Sequence, residues 1–320
     1  MTLAILFLAG FALVAYAASA VVGLARPALE HWLEARAPAA QARVLLSATL
    51  LPGLLAGTVL VAALAPSFGW IADHCDVHGD VHTHPHICAH HVAVWPSTQL
   101  TCLALFMVLR FAIATGGRVH AVLLGRRMRR QLDGLSEQSR IEGVRVLPRD
   151  DDDAFVLGVV TPTLYVARSL LSGDHSCHLE PVIAHERAHV RRQDPLRRLI
   201  AGIGLSFHLP GIARKLEGAL ARAQEMAADE DAARALGSRE RVARALVALA
   251  RARRRSAPAL PFTGSDLERR VNRLLMRSER RDVPGPAALL VTGLVSAASI
   301  VASAEVVHHG LEQVLGLMGN

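Results

Sequence analysis

Charged residues are nearly absent from four long stretches of this 320-residue sequence, which is 52% hydrophobic. A helix needs about 20 apolar residues to cross a bilayer core of about 30 Å. Residues 2–24, 44–65, 92–117 and 283–304 meet that length. Arg110 in the third stretch is the only charged residue in the four, and it is near enough to an arginine-rich end to extend toward the headgroups. A channel or pump would need more ionisable residues within its spans.

Lysine and arginine are missing from three regions: the residues before Arg26, residues 66–95, and the residues after Ala304. The first gap lacks the basic start of a cleaved signal peptide, so we expect an uncleaved span. Arginines instead follow the first and third stretches and precede the fourth, and such loops stay in the cytoplasm. We therefore expect a bacterial cytoplasmic membrane protein with both termini outside. The net charge of +7 is interpreted as a topology signal, with no nucleic-acid binding expected.

The charge and hydropathy pattern divides the chain into alternating spans and connecting segments. We expect the following division: span 1–24, cytoplasmic loop 25–43, span 44–65, extracytoplasmic loop 66–91, span 92–117, cytoplasmic domain 118–282, span 283–304 and extracytoplasmic tail 305–320. Only 118–282 is long enough to bury a core of its own. The predicted fold class is an α-helical membrane protein of four transmembrane helices with a cytoplasmic α+β domain of the zincin type.

Within 118–282 the residue pattern changes from strands to helices. A basic amphipathic helix is expected at 119–135, followed by strands at 144–147, 154–160 and 163–167. Helical periodicity then predicts helices at 180–193, 212–236, 238–253 and 266–278. Residues 199–212 are apolar, but they are short and interrupted by glycine and proline, so we expect a core or re-entrant segment and not a span.

The motif H-E-x-x-H, formed by His185, Glu186 and His189, lies in the first of these helices. Its spacing places both imidazoles on one helix face, which suits two nitrogen ligands of Zn²⁺. Glu186 then lies beside the metal, where it can take a proton from water and return it to a leaving amine. The motif is short enough to occur by chance, so it needs support from elsewhere in the chain.

Glu225 and Asp229 supply that support from the next long helix. They are one turn apart, so one carboxylate can complete the shell of a single Zn²⁺ while the other holds a ligand histidine by its free N–H. Asp194 is interpreted either as another such carboxylate or as a residue that ends a helix before Pro195. His208 is expected to have a turn or core role.

On these motifs, the sequence resembles the BlaR/MecR-type antirepressor membrane metallopeptidases. The resemblance rests on F-V-L-G-V-V-T-P at 155–162, on H-E-R-A-H with Asp194, and on E-M-A-A-D at 225–229. It implies that His185, His189 and Glu225 bind zinc, that Glu186 is the general base, and that Asp229 supports a ligand. Members of the family cleave a cytoplasmic winged-helix repressor, or themselves.

The sequence departs from that family after the fourth span, where residues 305–320 are too few for a penicillin-binding sensor, so we expect no β-lactam sensing. The region 222–229 also resembles the HtpX-type and CAAX-prenyl proteases, which makes a role in quality control or processing the main alternative. A non-enzyme alternative is a membrane metal sensor whose zinc is structural, although such a site does not need Glu186.

The predicted outer loop contains seven of the sixteen histidines of the chain. Its candidate ligands are His74, Cys75, His78, His82, His84, His86, Cys88, His90 and His91. Such a cluster suits Zn²⁺, Cu²⁺ or Ni²⁺, while a Cys75–Cys88 disulfide is equally compatible with an oxidising compartment. The loop is interpreted either as a sensor of metal or protons or as a hydrophilic connector.

Overall fold

The computed structural model describes residues 2–65, 97–149, 154–172, 176–256, 264–276, 296, 298–300 and 302–319. In chain order the elements are α1 (Thr2–Glu34), α2 (Pro38–Leu64), α3 (Thr98–Leu135), β1 (Glu137–Gln138), β2 (Val144–Leu147), β3 (Ala154–Leu157), β4 (Thr163–Ala167), α4 (Ser169–Ser172), α5 (Leu179–Arg192), α6 (Asp194–Leu205), α7 (Pro210–Leu236), α8 (Arg239–Ser256), α9 (Gly264–Leu275) and α10 (Ala304–Gly319). The predicted histidine-rich loop 66–91 and most of the predicted span 283–304 lie outside the described residues.

Three helices in the described part of the chain are long and apolar enough to cross a membrane: α1, α2 and α3. They indicate that the protein is membrane-associated. The basic stretch predicted at 119–135 continues α3 as a single helix through Leu135. The prediction of a helix at 119–135 is therefore confirmed.

The connection predicted at 25–43 is mostly helical, because α1 and α2 extend beyond their apolar runs and only residues 35–37 join them. Polar contacts hold these extensions in helical form. Arg26 pairs with Glu30 one turn later at 2.7 Å, and the amide of Gln41 donates to the carbonyls of Leu33 and Arg36 at 2.7 and 3.0 Å. Hydropathy marks where apolar residues end, but a helix can continue on such contacts.

The small sheet has the strand order β1-β2-β4-β3. The predictions for β2 and β4 are confirmed at both ends, while β3 ends at Leu157, earlier than predicted. Gly158 explains the early end: it has φ +113°, and a Cβ there would lie 2.7 Å from the carbonyl oxygen of Thr161. Because β4 pairs with both β2 and β3, the strand at the edge beside α5 is β3.

The segment 199–212 enters the bundle of the three long helices, as α6, a short loop and the start of α7. Phe207 in the loop contacts Phe11 of α1 and Phe111 of α3, with ring centroids 5.3 and 5.5 Å apart. A Cβ at Gly53 of α2 would lie 2.6 Å from the same ring. Phe11 is about 20 Å along α1 from the end of its apolar run at Leu24. The loop therefore packs inside the bundle, and α6 is not among the helices long and apolar enough to cross a membrane. Both interpretations that the sequence left open, a core segment or a re-entrant one, stay predictions.

Polar groups of this loop are satisfied by protein partners within the bundle. Pro52 lacks the N–H that would bond the carbonyl of Ala48 within α2. His208 Nε2 lies 3.2 Å from that oxygen and 3.2 Å from the carbonyl oxygen of Thr49, and its Nδ1 lies 3.2 Å from Ser19 Oγ. Nε2 therefore carries the proton and Nδ1 accepts from the serine. His208 thus has the core role expected for it.

Arg110 donates to the carbonyl oxygen of His208 at 2.7 Å. The loop breaks helical hydrogen bonding and leaves this oxygen without a partner from a helix, and Arg110 supplies one. The extension of Arg110 toward the headgroups stays a prediction. Backbone outside a helix is tolerated at membrane depth only where protein satisfies it. Arg110 performs that task here.

The residues predicted as the tail 305–320 form α10 almost throughout. Leu311 and Leu315 pack against Leu6 of α1 and Leu100 of α3. The imidazole of His308 donates to the carbonyl oxygen of Ala63, at the end of α2, at 2.7 Å. The helix thus covers the end of the bundle where α1 and α3 begin and α2 ends.

Candidate metal centre

The two motif histidines of α5 meet Glu225 of α7 at one point. His185 Nε2 and His189 Nε2 are 3.2 Å apart. The carboxylate oxygens of Glu225 lie 3.5 Å from the first nitrogen and 3.7 Å from the second. One ligand atom from each of the three side chains lies within 4.8 Å of the others. The helical spacing of the motif produces this convergence, because residues four apart share a helix face.

Two buried carboxylates lie beside the Nδ1 atoms of the same two rings. Asp229 Oδ1 lies 2.9 Å from His185 Nδ1, and Asp194 Oδ2 lies 2.8 Å from His189 Nδ1. Each aspartate is only 1% exposed. Of the two interpretations of Asp194, the structure therefore supports contact with a ligand histidine. Gln193 makes this contact possible: its left-handed conformation, φ 54°, ends α5 and starts α6 directly at Asp194.

This arrangement fits a zinc ion by the chemistry of its donors. A carboxylate beside each Nδ1 favours the tautomer with the proton on Nδ1, so both Nε2 lone pairs face each other and the carboxylate of Glu225. Three electron-pair donors then share one space, which is favourable only with a proton or a metal cation between them. A divalent cation resolves this conflict, and two histidines with one glutamate are a common ligand set of hydrolytic zinc.

Arg270 of α9 supports the centre and was not predicted as a site residue. Its Nε and a terminal nitrogen each donate to Asp229 at 2.7 Å, in a two-point contact. Its other terminal nitrogen lies 3.5 Å from Glu225. In the sequence, Arg270 is one of several arginines before a predicted span. Membrane topology already explained why arginines cluster there. The sequence holds no separate signal for its role.

Arg198 of α6 contacts the centre from the more open side. It donates to Gln224 at 2.7 Å and to Glu225 at 3.0 Å, and its side chain is 49% exposed. Glu225 is thus held by two arginines from two helices. Both contacts fix the position of its carboxylate before any ligand arrives.

The charges of the centre shift the pKa values of its members strongly. Burial would lower the pKa of His185, but the carboxylates of Asp229 and Glu225 raise it to about 10. Burial would raise the pKa of Glu225, but the two histidines bring it well below its ordinary value. Burial acts likewise on Asp229, and Arg270 and His185 lower its pKa. The carboxylates thus create a strong local preference for positive charge, which a metal cation can meet.

A comparison with family models finds one match, to peptidase family M48, over residues 114–217. The match includes His185, Glu186, His189 and Asp194, and it ends before Glu225. No curated protein and no solved structure matches the chain. The matched family consists of zinc-dependent peptidases.

The chain is a metallopeptidase. This supports the predicted class of enzyme, a peptide hydrolase, over a membrane sensor with structural zinc. The match covers about a third of the chain and does not extend to the BlaR/MecR type, so the antirepressor role stays a prediction.

The peptidase has a cleft beside the metal centre, with a cavity volume of about 120 Å³. His185, Glu186, Glu225 and Arg270 form its polar end, and five of the nine other lining residues belong to α8. Glu186, half-buried, follows His185 on α5 and faces this space without belonging to the convergent group. That position agrees with the expectation that Glu186 lies beside the metal.

The centre of the peptidase lies close to the end of the apolar helices. The guanidinium of Arg118, which follows the third apolar run, lies over the backbone of Gly202 in α6. Asp194 is eight residues earlier on the same helix, or about 12 Å along its axis. The metal centre therefore lies about 12 Å along α6 from the position of Arg118.

Proposed function

We propose that the protein is a membrane-embedded zinc endopeptidase that cleaves a protein chain on the cytoplasmic side of a bacterial membrane. The observation that carries this proposal is the convergence of His185, His189 and Glu225 beside Glu186, at the end of a cleft. The arginine pattern of the sequence supports the cytoplasmic side.

In the proposed mechanism, His185, His189 and Glu225 hold one Zn²⁺, and Asp229 and Asp194 hold the rings of the two histidines. When bound, the ion supplies a Lewis acid for the peptide carbonyl and makes water more acidic. Glu186 accepts the proton of the attacking water and delivers it to the leaving amine. The position of Glu186 in the cleft, one residue from His185, suits both transfers.

The substrate is proposed to bind as an added strand on the edge of the sheet. Two strands of the small sheet lie near the motif in sequence and come into question for such pairing, β3 and β4. In the structure β4 lies between β2 and β3, so its backbone groups are already paired. The edge strand β3 is therefore the proposed partner of an extended peptide, which would run past the cleft.

The test is the variant Glu186→Gln in the full-length, zinc-loaded protein in detergent or nanodiscs. We expect wild-type zinc content and loss of peptide cleavage to background, since the amide keeps the shape but accepts no proton. A matched control is Glu217→Gln on α7, whose side chain is 60% exposed. Cleavage that persists in Glu186→Gln would refute the assigned role.

For the biological role, we propose cleavage of a cytoplasmic protein in signal transduction, with a winged-helix repressor or the enzyme itself as substrate. An HtpX-like role in quality control or processing is the second candidate. The segment around Phe207 that packs inside the bundle favours it, because the HtpX type places further apolar helices soon after the zinc motif. Comparing the proteomes of cells with wild-type enzyme and with Glu186→Gln distinguishes them: a regulator accumulates uncleaved in the first case, and membrane proteins do so in the second.

A further inference from the structure

The cleft beside the metal centre has two chemically different ends. Its polar end contains His185, Glu186, Glu225 and Arg270. Its other end consists of apolar side chains from α5, α8 and α9. The α8 residues in it are Val242, Ala245, Leu246, Leu249 and Ala250. No described residue at that end carries a charge, so it suits an apolar group of a bound peptide.

The helix α8 is fixed on both sides, so this pocket exists before a substrate binds. Leu249 packs against the core between the sheet and α5. Leu246 and Val242 pack against the core between α7 and α9, which includes Leu274. Val242 and Ala245 are only 2% and 3% exposed. A rigid pocket of this kind discriminates between side chains by size.

The volume limits what the pocket can hold. The whole cleft, including its polar end, measures about 120 Å³, which is less than the volume of about 150 Å³ in a cavity that accommodates benzene. An aliphatic side chain fits such a space and an indole ring does not. Arg270, the only arginine or lysine among the described lining residues, already contacts Asp229 and Glu225. An acidic side chain of a substrate would therefore have no available positive partner in this pocket.

The position of the pocket relates it to the bond that is cut. It shares His185 and Glu186 with the metal centre, so a side chain in it belongs to a residue beside the reacting carbonyl. Ala154, the first residue of the edge strand β3, also lines it. Because side chains of an extended peptide alternate between two faces, a peptide paired along β3 can place one side chain there.

From these observations we infer that α8 forms the specificity pocket of the peptidase. It selects an aliphatic side chain of the size of valine, leucine or methionine at one of the two residues that flank the cleaved bond. This inference rests on the proposed function and adds a substrate preference to it.

The first test measures cleavage of a peptide library by the full-length, zinc-loaded enzyme, with product masses giving the cleaved bonds. We expect one flanking position to favour leucine, valine or methionine over glycine, aspartate and tryptophan by about tenfold or more in kcat/KM. Cleavage with no such preference would overturn the inference that α8 forms a specificity pocket, and it would leave the proposed function intact. If no peptide is cleaved, the proposed function fails, and the preference fails with it.

The second test changes the size of the pocket. Ala245→Leu fills it, and should lower kcat/KM for a leucine peptide by about tenfold while an alanine peptide changes less. Leu249→Ala enlarges it and should raise the relative cleavage of a phenylalanine peptide. Arg244→Ala, on the exposed face of α8, is the control and should keep the wild-type profile. A profile that stays the same in both pocket variants, with folding confirmed by thermal unfolding, would contradict the inference.

Discussion

Among the described residues, the metal centre between α5 and α7 and the loop inside the helix bundle both contain buried histidines, and the two are built in opposite ways. In the loop, both ring nitrogens of His208 face protein partners of the right type, Ser19 on one side and backbone carbonyls on the other. In the metal centre, His185 and His189 each have one nitrogen beside a carboxylate, while their other nitrogens face each other.

This difference in hydrogen-bond partners distinguishes a structural histidine from a metal ligand. A satisfied ring holds elements together, as His208 compensates for the carbonyl that Pro52 leaves free in α2. Two ring nitrogens directed at each other are unfavourable without a proton or a metal ion between them, because each buried polar group needs a partner of opposite type. Such a pair indicates a cation.

The largest difference in zinc content and peptide cleavage should appear between a variant that lacks a histidine of the metal centre and a variant that lacks the histidine of the loop. His189→Ala is expected to lose zinc and to reduce peptide cleavage to background, because a ligand is gone. His208→Ala should keep zinc, and it should lose about 1–3 kcal/mol of stability, since buried acceptors lose their donor. Metal analysis and thermal unfolding in detergent measure both. Loss of zinc from the His208 variant alone would reverse the assignment.

The two supporting arginines extend the comparison. Arg270→Ala leaves Asp229 as a buried carboxylate without its main partner, which should cost about 3–5 kcal/mol of stability and weaken zinc binding. Arg110→Ala leaves the carbonyl of His208 without its charged donor, which should cost about 1–3 kcal/mol and leave zinc affinity unchanged. Zinc titration and chemical denaturation distinguish the two. Equal zinc affinities in both variants would contradict the support assigned to Arg270.

The aspartates beside the two ligand histidines should have a smaller effect than the ligands. Asp229→Asn and Asp194→Asn are each expected to reduce zinc affinity by about 10–100-fold, because the rings lose the charge that orients and polarises them. Competition with a chelator of known affinity measures this change, with Glu217→Gln as the control on α7. Wild-type affinity in both variants would show that the aspartates only fill space.

The smallest effect concerns the hydrogen bond that compensates for Pro52. Pro52→Ala returns an N–H to α2, so the carbonyl of Ala48 no longer depends on His208. Replacing His208 by phenylalanine should therefore cost about 1 kcal/mol less in the Pro52→Ala background than in the wild type. A double-mutant cycle of unfolding free energies gives this coupling. Additivity within about 0.3 kcal/mol would mean that the histidine does not serve this carbonyl.

Local patterns predicted much of this molecule, and long-range packing accounts for what they missed. The strands at Val144–Leu147 and Thr163–Ala167 and the face shared by His185 and His189 follow from periodicity. Helix α6 was not predicted, because Gly202 and Gly204 are typical of helix interruptions. In the structure they allow close contact: a Cβ at Gly204 would lie 2.5 Å from the carbonyl oxygen of Thr49.

Arg270 could not be predicted for a related reason. It reaches Asp229 only because α9 packs across α7, which brings together residues 41 positions apart. Its neighbours in sequence are also arginines, and membrane topology explained all of them equally well. Because topology already explained the arginine cluster, only the fold could show that Arg270 also contacts the metal centre.

The central claim, that zinc binds between α5 and α7, is tested most directly by X-ray absorption at the zinc edge on the full-length protein with one equivalent of zinc. We expect two imidazole nitrogens at about 2.0–2.1 Å with oxygen ligands completing the shell, and loss of that spectrum in His185→Ala. Sulfur at about 2.3 Å, or three or more imidazoles, would place the zinc elsewhere in the chain and contradict the account.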